Sequence, residues 1–114
     1  MKVIVPNFVK KDFEKWCNLF ESLLFLIYRK FRLEHFYLKR PFVKIKLNIC
    51  NKAYRLVAYY RQDIDVLLVL GVYEKKSKLF WENIRRRSIK DTVELLLKKA
   101  YLELEKWNII EKNF

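Results

Sequence analysis

Two rhythms of apolar residues divide the chain. From Phe8 onward, Val9, Phe13, Trp16, Cys17, Phe20, Leu23, Leu24, Ile27 and Phe31 recur every three or four residues, the spacing that lines one face of a helix. This predicts helix from about residue 7 to 31, capped by Asn7, as one helix or a pair; Asn18 is a weak helix former but does not force a break. Before it, Lys2 to Val5 is a β-prone run closed by Pro6. Phe42 to Cys50, Ala53 to Arg61 and Ile64 to Tyr73 are rich in β-branched and aromatic residues, with only Asn51-Lys52 and Gln62-Asp63 between them. Connections this short predict an antiparallel meander. Val66 to Val72 contains no polar side chain, as expected of a central strand covered on both faces. The helical rhythm returns in Ile89, Val93, Leu96, Leu97, Ala100, Leu104 and Trp107, behind an approximate capping box at Ser88 and Asp91. Leu79 to Ile84 fits neither rhythm, and a frayed tail is expected beyond Asn108. The order β-α(α)-βββ-α, without repeats or linkers, predicts one α+β domain over residues 1–114: a meander sheet packed against N-terminal helices and a C-terminal helix.

Composition narrows the chemistry. The 114 residues are 53% apolar and 17% aromatic, enough for a packed core, so the high charge does not signal disorder. Gly71 is the one glycine, which excludes phosphate loops that need several. His35 has no second histidine, and Cys17 and Cys50 are far apart, so no zinc-ligand spacing exists and neither cofactor nor metal is expected. The N-terminus lacks a signal-peptide pattern. The longest uncharged apolar stretches, Leu23 to Tyr28 and Val66 to Tyr73, fall short of the ~20 residues of a spanning helix. No membrane partner and a cytoplasmic location are therefore expected, with both cysteines as reduced thiols.

The distribution of charge says more than its total. The net charge is +12, and residues 39–61 contain seven Lys or Arg and no Asp or Glu, so this segment holds +7 of it. A local excess of this kind carries a self-repulsion that a polyanionic partner such as nucleic acid relieves. If Asn51-Lys52 is a two-residue hairpin loop, Asn48 faces Arg55, Lys46 faces Val57 and Lys44 faces Tyr59. One face then presents Lys44, Lys46, Asn48, Arg55, Tyr59 and Arg61, and the other presents Val43, Ile45, Leu47, Ile49, Tyr54, Leu56, Ala58 and Tyr60. The first is expected to be cationic and the second core.

RNA cleavage without a metal needs a base near the 2′-oxygen, cations around the phosphate and a surface that splays the bases. In a cluster of cations each neighbour disfavours the ammonium form, which can make a lysine a base, while arginine offers phosphate a planar fork. A plainer role is also open to these residues. Lysines protect edge strands, Arg55 could pair with Asn48, and Phe80 and Trp81 could anchor a hydrophobic contact. His35 has the setting of a structural residue.

Val43-Lys44-Ile45-Lys46-Leu47, then Ala53 to Tyr59, then Val66 to Lys76 with its Gly71-x-x-x-Lys75-Lys76 ending resemble the central sheet of RelE-type toxins of the RelE/ParE superfamily. The resemblance is clearest over residues 43–78, and the order of the flanking helices extends it. It implies the toxin component of a type II toxin–antitoxin system: an mRNA endoribonuclease acting at the ribosome and held by an acidic antitoxin. On that pattern Lys44 is the base, and Lys46 and Arg55 stabilise the phosphate. The residue that protonates the leaving oxygen falls at Tyr73 or, with a small shift, at Lys75 or Lys76. The base-orienting aromatic falls at Phe80 or Trp81 after an insertion. Arg61, Tyr59, Tyr73 and the run Arg85, Arg86, Arg87 are further RNA-contact candidates. Two other functions stay open: topoisomerase inhibition of the ParE kind, and a basic module that binds nucleic acid without cutting it.

Overall fold

The computed structural model describes residues 1–14, 20–49, 52–74 and 89–114. In chain order these form β1 (Lys2–Pro6), α1 (Asn7–Glu14), α2 (Phe20–Leu33), β2 (Phe36–Lys39), β3 (Phe42–Ile49), β4 (Lys52–Arg61), β5 (Val66–Glu74), α3 (Ile89–Glu105) and β6 (Ile109–Asn113). The strands make one mixed α+β sheet in the order β2-β3-β4-β5-β1-β6. β2 to β5 form an antiparallel meander, β1 runs parallel to β5, and β6 runs antiparallel to β1.

The apolar run of β5 lies between β4 and β1, as its lack of alternation predicts, and Leu67 to Val72 are buried. Helices cover both faces of the sheet. On one side Val9 of α1 and Leu23, Leu24, Ile27 and Phe31 of α2 pack on Val43, Ile45, Leu47, Tyr54, Leu56 and Ala58. On the other, Val93 and Ala100 of α3, with Leu96, Leu97 and Leu104 beside them, pack on Phe42, Val57, Leu68 and Leu70. Burial of large apolar side chains, at roughly 1.5–3 kcal/mol each, is what holds these layers together. Among the described residues no helix is long and apolar enough to cross a membrane.

Three expectations are corrected. The tail beyond Asn108 is not frayed: it forms β6, whose Ile109 to Asn113 pair with Pro6 to Lys2. The Phe114 ring stacks on Tyr28 at 4.5 Å and 3°. A short extra strand, β2, joins the meander at its outer edge. Trp107, placed by its spacing on the buried stripe of α3, is 81% exposed. Asn18, Cys17, Cys50, Ser88 and Leu79 to Ile84 lie outside the described residues.

Trp107 ends α3 with φ 56°. Its N–H donates to the Leu104 carbonyl at 3.1 Å, and the Asn108 N–H donates to the Glu103 carbonyl at 2.9 Å. These are the two bonds of a Schellman cap, whose left-handed position glycine fills without strain. An L side chain there costs about 1–2 kcal/mol, and an exposed ring regains little of it by burial. Trp107→Gly is therefore expected to raise unfolding stability by about 1 kcal/mol, read as a shift in denaturant midpoint at constant slope.

The turn before β5 is pinned by a residue that the sequence pattern did not single out. Asp65 has φ 51°, accepts the Tyr60 hydroxyl at 2.8 Å and lies 3.4 Å from the Met1 ammonium. Its carbonyl accepts the Lys2 N–H at 3.0 Å. The Tyr60 bond first, then the ammonium and Arg32, hold its carboxyl below the usual range. This fastens the β4–β5 turn to β1 and sets the order of the sheet centre.

Candidate functional site

The β3–β4 hairpin divides its faces as the alternation predicts, but in a different register. Ile49 pairs with Lys52, Lys46 with Arg55, Lys44 with Val57 and Phe42 with Tyr59. Each partner is displaced by two residues from the expected pairing. A shift of two preserves side-chain parity, so Lys44, Lys46 and Arg55 still share one face. The expectation that this whole face is cationic is corrected: Phe42, Val57 and Tyr59 belong to the layer under α3. The cations occupy one end of a face whose other end is core.

β5 completes the group through an irregularity. Val57 pairs with Gly71 and Ala58 with Val69, so Leu70 is an extra residue on β5. Leu67 and Val69 point towards α1 and α2, and after the bulge Val72 does so. Strict alternation would have sent residue 73 to that side as well. The bulge instead places Tyr73 on the face of Arg55, its direct partner and a member of the layer under α3. Re-aiming a side chain is a recurrent use of bulges near functional sites. The result is a row, Lys46 opposite Arg55 opposite Tyr73, spanning about 10 Å across three strands.

A second row, Lys44 opposite Val57 opposite Gly71, lies beside the first. The Tyr73 ring reaches from one row into the other. A Cβ placed on Gly71 would meet the Tyr73 Oη at 2.7 Å and Cε2 at 2.9 Å, so the phenol lies directly over the glycine backbone. Gly71 does not have positive φ; its requirement is space. Burial, with a smaller contribution from the Asp12 carboxylate, pushes the Tyr73 hydroxyl up to about 12, so it keeps its proton at neutral pH. Arg55 is half-buried and donates from one terminal guanidinium nitrogen to the Tyr54 carbonyl at 3.0 Å. Lys46 is exposed and Lys44 half-buried.

The remaining candidates separate from this cluster. Tyr59 meets Phe42 edge-on at 5.5 Å and packs against the layer under α3, so its ring is engaged in packing. Arg61 makes a bidentate bond to Asp63, at 2.9 and 2.6 Å, six residues and about 20 Å along β4 from Arg55. Lys75, Lys76, Phe80, Trp81, Arg85, Arg86 and Arg87 lie outside the described residues. His35 is structural: its Nδ1 is 2.9 Å from the Phe31 carbonyl, and its ring stacks on Phe31 at 4.4 Å. Sequence reasoning did not foresee the bulge, because a continuous apolar run carries no parity from which to detect an added residue.

Chemically, the cluster offers amines, a guanidinium and a protonated phenol on one face of the sheet. That set suits a phosphodiester, with cations for its oxygens and proton carriers on either side. Compared with protein-family models, curated proteins and solved structures, the chain gives no match.

Proposed function

We propose that this face cleaves single-stranded RNA by driving a ribose 2′-oxygen onto the adjacent phosphate, as a RelE-type toxin cuts mRNA at the ribosome under the control of an acidic antitoxin. The observation that carries the reading is the direct pairing of Lys46 with Arg55, with Lys44 two residues away on the same face. Like charges placed opposite one another weaken a strand pair by about 0.2–1 kcal/mol, and a bound phosphate turns that repulsion into attraction. Lys44 takes the proton of the 2′-hydroxyl. Lys46 and Arg55 hold the non-bridging oxygens, where charge accumulates as the phosphorus becomes five-coordinate. The surplus of +7 over residues 39–61 concentrates the polyanion at the same hairpin.

The order of elements supports the reading: a strand, two helices, a three-strand meander and a helix recur here as in the resemblance, with β2 and β6 added at the two edges of the sheet. Expression in bacterial cells separates this activity from its rivals. The wild-type chain is expected to halt growth with fragmented mRNA, and a Lys44→Ala/Arg55→Ala variant to do neither. Growth arrest with broken DNA and intact mRNA would indicate topoisomerase inhibition instead. Equal effects from both chains would remove the catalytic role of this face.

A further inference from the structure

We infer that the Tyr73 hydroxyl is the group that protonates the leaving 5′-oxygen, and that Gly71 is the residue that positions it. The inference rests on the RNA-cleaving reading above and assigns to one atom a role that the sequence divides among Tyr73, Lys75 and Lys76. Three features of the fold converge on it. The bulge at Leu70 sends Tyr73 to the cationic face. Gly71 leaves an open seat over which the phenol lies, so its Oη stands in the row of Lys44 while its backbone stands in the row of Lys46 and Arg55. Its cross-strand partner, Arg55, is the cation that faces the phosphate in the proposed reaction.

The chemistry balances with the groups present. Lys44, acting as the base, takes the 2′-hydroxyl proton, the 2′-oxygen forms its bond to phosphorus, and the phosphorus–5′-oxygen bond breaks. The 5′-oxygen receives the Tyr73 proton. The products are a 2′,3′-cyclic phosphate and a 5′-hydroxyl. The phenolate left behind recovers its proton from the ammonium formed in the first step, directly or through water. A tyrosine whose burial keeps it protonated is a poor base but can supply a proton to an alkoxide, which is far more basic.

The test uses a leaving group that needs no proton. A short mRNA is prepared in two forms, one normal and one with sulfur replacing the bridging 5′-oxygen at the cleavage position, and each is loaded on ribosomes with purified full-length protein. Tyr73→Phe is expected to slow cleavage of the normal RNA by about 100-fold or more, the usual scale of a lost general acid. It should cut the sulfur-containing RNA as fast as the wild type does and bind both equally. Gly71→Ala, whose added methyl displaces the ring, is expected to show the same loss and the same recovery. Unchanged cleavage of normal RNA by Tyr73→Phe would overturn the inference, as would an equal defect on both substrates. Failure of the wild type to cut either RNA would instead remove the parent reading, and this one with it.

Discussion

Replacing Arg55 with alanine is expected to lower single-turnover cleavage of ribosome-bound mRNA by about 10²–10³, the cost of removing one preorganised donor from a developing oxyanion. The expectation follows from position. Arg55 is the middle member of the row, paired with Lys46 on one side and Tyr73 on the other. Its planar fork can bond two phosphate oxygens at once, which an ammonium cannot do. Arg55→Lys should therefore recover charge but only part of the rate.

Stability should move little in the same variant. The guanidinium makes a bond to the Tyr54 carbonyl, worth about 1 kcal/mol net, and the substitution also removes a repulsion from Lys46 of similar size. Chemical denaturation alongside the kinetics separates the two effects. A rate loss that follows a loss of folded protein would contradict the assignment; a rate loss at unchanged stability supports it.

The second large effect concerns the sheet edge. Deleting residues 109–114 is expected to cost more than about 5 kcal/mol, on the scale of a small domain's whole stability. β6 covers the outer edge of β1 along five residue pairs. Its removal leaves the backbone of Lys2 to Pro6 paired on one side only and strips Ile110 and Phe114 from the cluster that holds Val3 and Val5. Two apolar side chains at roughly 1.5–3 kcal/mol each, with several ladder bonds at about 1 kcal/mol each, reach that sum. Circular dichroism should show a melting temperature lower by ~20 °C or more, or no cooperative transition. A truncated chain that melts within a few degrees of the full one would show β6 to be dispensable.

How far these elements could be read in advance depends on whether the signal was local. The three meander strands are legible because alternation and burial are properties of each strand by itself. The parity of Lys44, Lys46 and Arg55 is legible for the same reason, and it survived a register that differed by two residues. The register itself is set by which two residues make the tight turn, and neighbouring Asn and Lys did not decide that. β6 is only Ile109 to Asn113; five residues with one apolar pair acquire meaning only when β1 offers them an edge. Trp107 kept helical spacing with α3 but falls past its end, where the backbone turns left-handed. Tyr73 was legible as a residue of interest but not as a member of the cationic face, because the bulge that turns it lies within a run of uniformly apolar side chains.

The most direct measurement is the chemistry of the RNA ends. Purified protein is incubated with ribosome-bound mRNA, and the termini of the fragments are identified. Attack by the 2′-oxygen under lysine, arginine and tyrosine predicts a 2′,3′-cyclic phosphate or its 3′-phosphate product upstream and a 5′-hydroxyl downstream. Fragments ending in a 3′-hydroxyl and a 5′-phosphate, the products of an activated water, would contradict the account, as would mRNA left intact.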